Sequence, residues 1–166
     1  MLIKSGIPTE EDLDKVFPSI DKLKQGPIAI FECYQNIPCN PCYTACPIGA
    51  IEPFEDLNDL PKLIEEKCTG CGICISKCPG LAISIIDYNF NEEEMLMKLP
   101  YEFLPLPREG EEVIALDRRG EEVCKARVIK VMNIDKFDKT PVVSISFDKQ
   151  YLRVVRHFKL IGGKDE

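Results

Sequence analysis

Apolar residues occur in three patterns along the chain. Ile28-Ala29-Ile30-Phe31 is a short continuous run and reads as a buried strand, as does Ala82-Ile83-Ser84-Ile85-Ile86, with Ala50-Ile51 as a shorter copy. Between the two copies, Asp59 to Lys67 carries Leu60, Leu63 and Ile64 at helical spacing, which predicts a helix. Residues 90–104 mix two signals. Asn91-Glu92-Glu93-Glu94 could cap a helix, but Met95, Met97 and Leu99 alternate, and Leu99 precedes a proline, which favours extended backbone; a strand is expected. From Pro105 onward, Val113–Leu116, Val123–Val131, Val142–Phe147 and Tyr151–Phe158 form β-rich runs broken by turn residues such as Asp117-Arg118-Arg119-Gly120. These predict a small β-barrel or sandwich. Ahead of all this, Thr9-Glu10-Glu11-Asp12 is a helix start, with a hydroxyl cap followed by acidic residues at the positive end of the dipole, and Pro18 ends that helix.

An internal repeat underlies the middle of the chain. A shift of 32 residues carries Cys39 onto Cys71, Cys42 onto Cys74 and Cys46 onto Cys78; it also carries Pro47 onto Pro79, Ala50 onto Ala82 and Ile51 onto Ile83. A unit this short cannot bury a face alone, so the two copies are expected to pack on each other. The organisation read from these patterns is an arm (1–27), a repeat-bearing domain (28–89) and a small all-β, barrel-like domain (90–166).

Charge follows the same division. Residues 1–104 hold 8 basic and 17 acidic side chains, whereas residues 105–166 hold 13 and 11. With a net charge of −7, nucleic acid is not an expected partner. No charged-then-apolar leader and no long apolar segment is present, so a cytoplasmic protein without membrane contact is expected.

Nine cysteines in 166 residues change the picture, because eight of them crowd between positions 33 and 78. In a reducing compartment such clustering points to metal rather than disulfides. Cys68-x2-Cys71-x2-Cys74-x3-Cys78-Pro79 is a specific iron–sulfur spacing, because three cysteines spaced three apart on a loop can each ligate one iron of a single cluster. Gly70 and Gly72 are expected to let the backbone approach the inorganic sulfides. A single zinc site built from Cys39, Cys42, Cys71 and Cys74 would leave Cys46, Cys68 and Cys78 unexplained. No Cys-x3-Cys-x2-Cys run of the radical S-adenosylmethionine type occurs. Cys124 reads as a small core residue, and His157, the only histidine, as a solvated strand residue.

The cysteine-proline segments Cys46-Pro47-Ile48-Gly49-Ala50-Ile51 and Cys78-Pro79-Gly80-Leu81-Ala82-Ile83 resemble those of bacterial-type two-[4Fe–4S] ferredoxins over about residues 28–89. The resemblance implies an α+β, ferredoxin-like dicluster fold with a pseudo-two-fold repeat and two [4Fe–4S] clusters. It implies that Cys46, Cys68, Cys71 and Cys74 hold one cluster, and that Cys39, Cys42 and Cys78 hold three corners of the other. The chain departs from the family at the fourth corner. The repeat calls for a cysteine at position 36, which is Asn36; Cys33 lies three residues earlier, and Ile37-Pro38 could form the bulge that brings it in. A structural Cys33 beside a three-iron cluster is the competing reading.

No G-x-G-x-x-G or phosphate-binding loop occurs, and no acid–base constellation stands out, so no catalytic residue is assigned. The expected function is electron transfer as a non-catalytic subunit that passes single electrons to or from a flavin-dependent oxidoreductase in a hetero-oligomer. A free ferredoxin carrier, and a redox-sensing or interaction protein with structural clusters, are the alternatives. Ile37-Pro38-Cys39-Asn40-Pro41-Cys42 and Leu99-Pro100-Tyr101-Glu102-Phe103-Leu104-Pro105 also resemble segments of the ferredoxin-like small subunits that accompany FAD-dependent, proline-type amino-acid or amine dehydrogenases.

Overall fold

The computed structural model describes residues 2–162. Met1, at the start of the expected arm, and residues 163–166, at the end of the expected β domain, lie outside the described residues. The arm folds into α1 (Leu2–Ser5), α2 (Glu10–Asp14) and α3 (Ile20–Leu23). Local chemistry accounts for the starts of the last two. The Thr9 hydroxyl accepts from the Asp12 N–H at 3.3 Å while the Thr9 N–H donates to the Asp12 carboxylate at 3.0 Å, and Ser19 caps α3 by accepting from the Lys22 N–H. Leu13 and Leu23 anchor these short helices in the core. Arg153, far along the chain, holds α2 by its ion pair to Asp14 at 2.7 Å.

The remaining elements are β1 (Ile28–Phe31), α4 (Pro41–Ala45), α5 (Ile73–Lys77), β2 (Ile83–Asp87), β3 (Glu94–Pro100), β4 (Glu112–Leu116), β5 (Glu122–Met132), β6 (Val142–Asp148) and β7 (His157–Leu160). All seven strands join one antiparallel sheet in the order β1-β2-β3-β6-β5-β4-β7. The fold is therefore mixed helix and sheet. The expected small barrel is instead an open sheet: β3 pairs with β2 on one side and with β6 along seven residues on the other, so the later strands extend the sheet begun by β1 and β2. Tyr151–Phe158, expected as strand throughout, begins in a short 3-10 turn and becomes strand only from His157.

The sheet has two differently used faces. Ile28, Ile30, Ile86, Met95, Met97, Leu99, Val113, Ala115, Val143, Ile145 and Phe158 share one core, although they come from six of the strands. Side chains alternate along a strand, so Ala29, Phe31, Ile83 and Ile85 point the other way and form a second core with Cys42, Cys74 and Ile75. This explains why β1 and β2 read as unbroken apolar runs: both faces are covered.

The expected helix over 59–67 is absent. Pro61 lacks an N–H and disfavours helical backbone at Leu60. The segment lies antiparallel to residues 50–52 instead, with the Glu52 N–H donating to the Lys62 carbonyl, the Ile64 N–H donating to the Ala50 carbonyl, and a bridge between Ile51 and Leu63.

Where the curled sheet brings its ends together, a buried ionic cluster forms. Glu32, just after β1, accepts two bonds from Arg118 at 2.7 and 2.8 Å and faces Arg156 at 3.3 Å. The three side chains are 8–16 % exposed. Arg118 also donates to the Arg153 carbonyl, and Arg156 to the Leu81 carbonyl. Every charge here has partners, as burial requires.

His157 is not the solvated residue expected from sequence. Its ring lies 5.4–6.1 Å from those of Tyr101, Phe103 and Phe158. Burial, aided by the Arg156 charge, lowers its pKa from 6.5 to about 4. The folded state thus keeps His157 neutral while the unfolded chain takes up a proton below about pH 6.5. Stability from this group is complete above that value and is lost as pH falls from 6.5 towards 4. The loss amounts to up to about 3 kcal/mol. Urea denaturation of His157→Phe should show a flatter stability curve than the parent over this window and an unchanged slope above pH 7.

Candidate metal centres

The two copies of the repeat adopt the same local structure. Helices α4 and α5 lie 32 residues apart, and each ends on a cysteine, Cys46 or Cys78, with nearly equal backbone angles (φ −72°, ψ 111° and φ −80°, ψ 111°). The following positions match as well: Gly49 has φ 59° and Leu81 has φ 51°. A left-handed conformation costs a leucine roughly 1–2 kcal/mol, so the chain reversal after Cys78 is imposed by its surroundings. In both copies the turned chain aims an amide at the cysteine sulfur. The Ala50 N–H donates to Cys46 Sγ at 3.2 Å and the Ala82 N–H to Cys78 Sγ at 3.4 Å.

Between these segments lie two cavities. Cys46, Cys68, Cys71 and Cys74 line one. Cys33, Cys39, Cys42 and Cys78 line the other. Phe31, on β1, lines both. The crossing is explicit: Cys46 of the first copy lines the cavity of the second, and Cys78 of the second lines that of the first. Cys124 lines neither and stays half-buried in β5.

The lining suits iron and sulfide. Each cavity offers four soft thiols, backbone N–H groups bonded to sulfur, and otherwise mainly apolar walls of Phe31, Ile51, Leu63, Ile83 and Ile85. Asp59 also lines the second cavity, but its carboxylate is engaged by the Asp56 N–H at 2.9 Å. A single zinc ion needs its donors converged on one point, whereas Cys39 and Cys42 line one cavity and Cys71 and Cys74 the other.

Electrostatics reinforce the point. Burial first, then the neighbouring cysteines, pushes the Cys74 thiol up to about 12 and the Cys42 thiol up to about 11, and raises Cys33 as well. Thiols so placed become thiolates only against a strong local positive charge, which iron supplies.

Two features of the wall were not evident from sequence. Lys98 of β3 donates from Nζ to the Gly70 carbonyl at 2.7 Å, tying the sheet extension to the Cys68–Cys74 loop. Crowding gives Gly70 a reason of its own: a Cβ there would sit 2.6 Å from Pro27 Cβ and 3.1 Å from Ile85 Cγ2, at a φ of 62°. Neither contact has a local sequence signal, since Pro27 and Lys98 lie 43 and 28 positions away.

Two thiol-lined cavities related by an internal repeat are the arrangement expected of a dicluster iron–sulfur domain. Residues 37–83 match the family model described as a 4Fe-4S dicluster domain. The chain is 44 % identical over 48 residues to pyruvate synthase subunit PorD of Methanocaldococcus jannaschii, covering 29 % of this chain and 54 % of that protein. It is 43 % identical over 49 residues to a subunit of the ion-translocating oxidoreductase complex of Methanosarcina acetivorans, covering 30 % and 17 %. It is also 35 % identical over 99 residues to an uncharacterized ferredoxin of Methanocaldococcus jannaschii, covering 52 % and 58 %. The chain thus spans less than two thirds of each of these relatives. No solved structure matches it. Residues 37–83 are thus similar to a ferredoxin-like 4Fe-4S dicluster domain, and the similarity supports two [4Fe–4S] clusters in this chain.

Gly70→Ala should be damaging despite its small size, because it adds both the Pro27 clash and a left-handed strain of about 1 kcal/mol or more. The measurable outcome is a purified protein with reduced iron content and a lower thermal midpoint than the parent, whereas Gly120→Ala, in a turn where a Cβ meets nothing within 4 Å, keeps its iron.

Proposed function

We propose that this chain is an electron-transfer subunit of a cytoplasmic, flavin-dependent oxidoreductase complex, passing electrons one at a time between its two clusters and a flavoprotein. The observation that carries the reading is the pair of adjacent cavities sharing Phe31, with Cys71 exposed at the rim of one of them. Each cluster cycles by a single electron, and two neighbours in series can serve a two-electron partner such as a flavin. The chain's own residues provide the cavities, exclude water through Phe31, Ile51 and Ile85, and donate N–H groups that raise the potential of the thiolates they reach. The similarity to proteins named as subunits of multi-subunit oxidoreductases supports a hetero-oligomeric setting.

Within this reading, Cys46, Cys68, Cys71 and Cys74 ligate one cluster, and Cys33, Cys39, Cys42 and Cys78 ligate the other. Cys33 supplies the corner that Asn36 cannot; the place of Cys33 on the same cavity wall as Cys39, Cys42 and Cys78 supports this. The Asn36 side chain instead donates to the Asn58 carbonyl at 3.0 Å. In the proposed division of labour, residues 28–89 carry the clusters and residues 90–166 extend the sheet towards a partner, with residues 1–27 as an arm over them.

Two measurements check the proposal. Affinity capture from native extract should retain a protein whose acid-released cofactor is a flavin; capture of partners with no flavin would remove the flavoprotein from the reading. Cys33→Ser should lower iron per chain from the eight of two intact clusters towards seven, with a three-iron signal in the oxidised electron paramagnetic resonance spectrum. Full iron and an unchanged reduced spectrum would show that Cys33 is not a ligand.

A further inference from the structure

Lys98 is a cation on the cysteine side of the sheet. Its strand neighbour Ile85 lines the cavity of Cys46, Cys68, Cys71 and Cys74, and residues paired across adjacent strands share a face. The lysine stem passes Gly72, where a Cβ would lie 3.9 Å from Lys98 Cδ, and Nζ donates to the Gly70 carbonyl at 2.7 Å. Lys98 makes no ion pair among the described residues. Apart from the cysteines, no ionisable side chain lines that cavity. The bond does more than hold the loop. The Gly70 carbonyl and the Cys71 N–H belong to one trans peptide group, in which the two point in opposite directions. Fixing the carbonyl on Lys98 therefore turns the Cys71 N–H away from Lys98. Gly70 and Cys71 both line the cavity, and the Cys71 N–H has no acceptor among the described residues. The equivalent peptide of the first copy is used otherwise: the Cys39 N–H donates to the Leu57 carbonyl at 3.2 Å. A complete version of the arrangement stands at the other cavity. There Arg156 donates to the Leu81 carbonyl at 2.9 Å, and the N–H of the same peptide, that of Ala82, donates to Cys78 Sγ at 3.4 Å.

We propose that Lys98 is a tuning residue of the cluster held by Cys46, Cys68, Cys71 and Cys74, and that its ammonium, acting through the Gly70–Cys71 peptide, raises the reduction potential of that cluster. The inference rests on that ligand set. Two effects act in the same direction. Reduction adds one electron, and a positive charge fixed on the loop stabilises the added negative charge. The ammonium also polarises the peptide whose carbonyl it holds, which makes the N–H at the other end a stronger donor to sulfur. Lys98 is half-buried, so salt screens these effects less than it screens a surface charge. Strand β3 lies outside the repeated segments, so this contact acts on one copy alone.

The test is a redox titration of the iron-loaded parent, Lys98→Met and Lys98→Arg, followed by electron paramagnetic resonance. Methionine keeps an apolar stem and removes the charge, whereas arginine keeps the charge and a donor. Lys98→Met should hold the parent's iron while one midpoint falls by about 59 mV, a tenfold loss in the one-electron reduction equilibrium, and the other stays in place. Lys98→Arg should retain most of the parent value. Cys71→Ser identifies the cluster: the midpoint that moves must belong to the cluster whose spectrum Cys71→Ser alters. A structural tie alone would cost Lys98→Met iron and thermal stability without moving the midpoint of a cluster that remains intact. Unmoved midpoints in iron-loaded Lys98→Met, equal shifts of both, movement of the other cluster, or an equal fall in Lys98→Arg would each overturn the tuning. Loss of iron from Lys98→Met would overturn it as well, as the mark of a structural tie. Unchanged iron and spectrum in Cys71→Ser would instead overturn the ligand set, so the two failures are read in different variants.

Discussion

Strands β1 and β2 are buried on both faces, and the rest of the molecule is arranged around that requirement. Ile28, Ile30 and Ile86 must be covered on one side, and Ala29, Phe31, Ile83 and Ile85 on the other. The cysteine loops with α4 and α5 cover the second side, but they are too short to form a core themselves. The five further strands and the arm cover the first. Fully burying each of these large side chains contributes about 1.5–3 kcal/mol, so the pair cannot leave either face to water. The sheet extension is therefore part of what holds the cysteine cavities in shape, and Lys98 reaching the Gly70 carbonyl is a direct instance.

The ionic cluster of Glu32, Arg118 and Arg156 meets a second constraint. A seven-stranded sheet that curls around one core brings its ends near each other without joining them by ladder hydrogen bonds. Polar side chains complete the closure. Glu32 follows β1, Arg156 precedes β7, and Arg118 sits in the turn after β4, so the cluster pins three separate parts of the sheet. Buried ion pairs of this kind gain little net stability over apolar packing, but removing one partner leaves an uncompensated charge.

The elements whose signals were local were legible. The Thr9 capping box, the β1 and β2 runs and the alternation of Met95, Met97 and Leu99 all appear as read. Two of the expectations that failed show why most directly. The leucine spacing of 59–67 suggested a helix, but Pro61 interrupts it and the neighbouring 50–52 segment supplies the hydrogen bonds that a helix would have made. His157 was read as solvated because its flanks, Arg156 and Lys159, are charged, yet Tyr101 and Phe103, more than fifty positions away, enclose it.

What the sequence determined by itself is the cofactor chemistry. Thiolate spacing is a short-range property, so Cys68 to Cys78 and its copy at Cys39 to Cys46 announce iron–sulfur clusters before any fold is known, and the 32-residue repeat announces that there are two. What only the tertiary structure decided is how the chain surrounds them. The joining of β3 to β2, the crowding of Pro27 on Gly70, the placing of Cys33 beside Cys78, and the meeting of Glu32 with Arg118 and Arg156 all link residues that sequence separation leaves independent. Such contacts form where two apolar faces are buried at once, and that condition belongs to the folded chain as a whole.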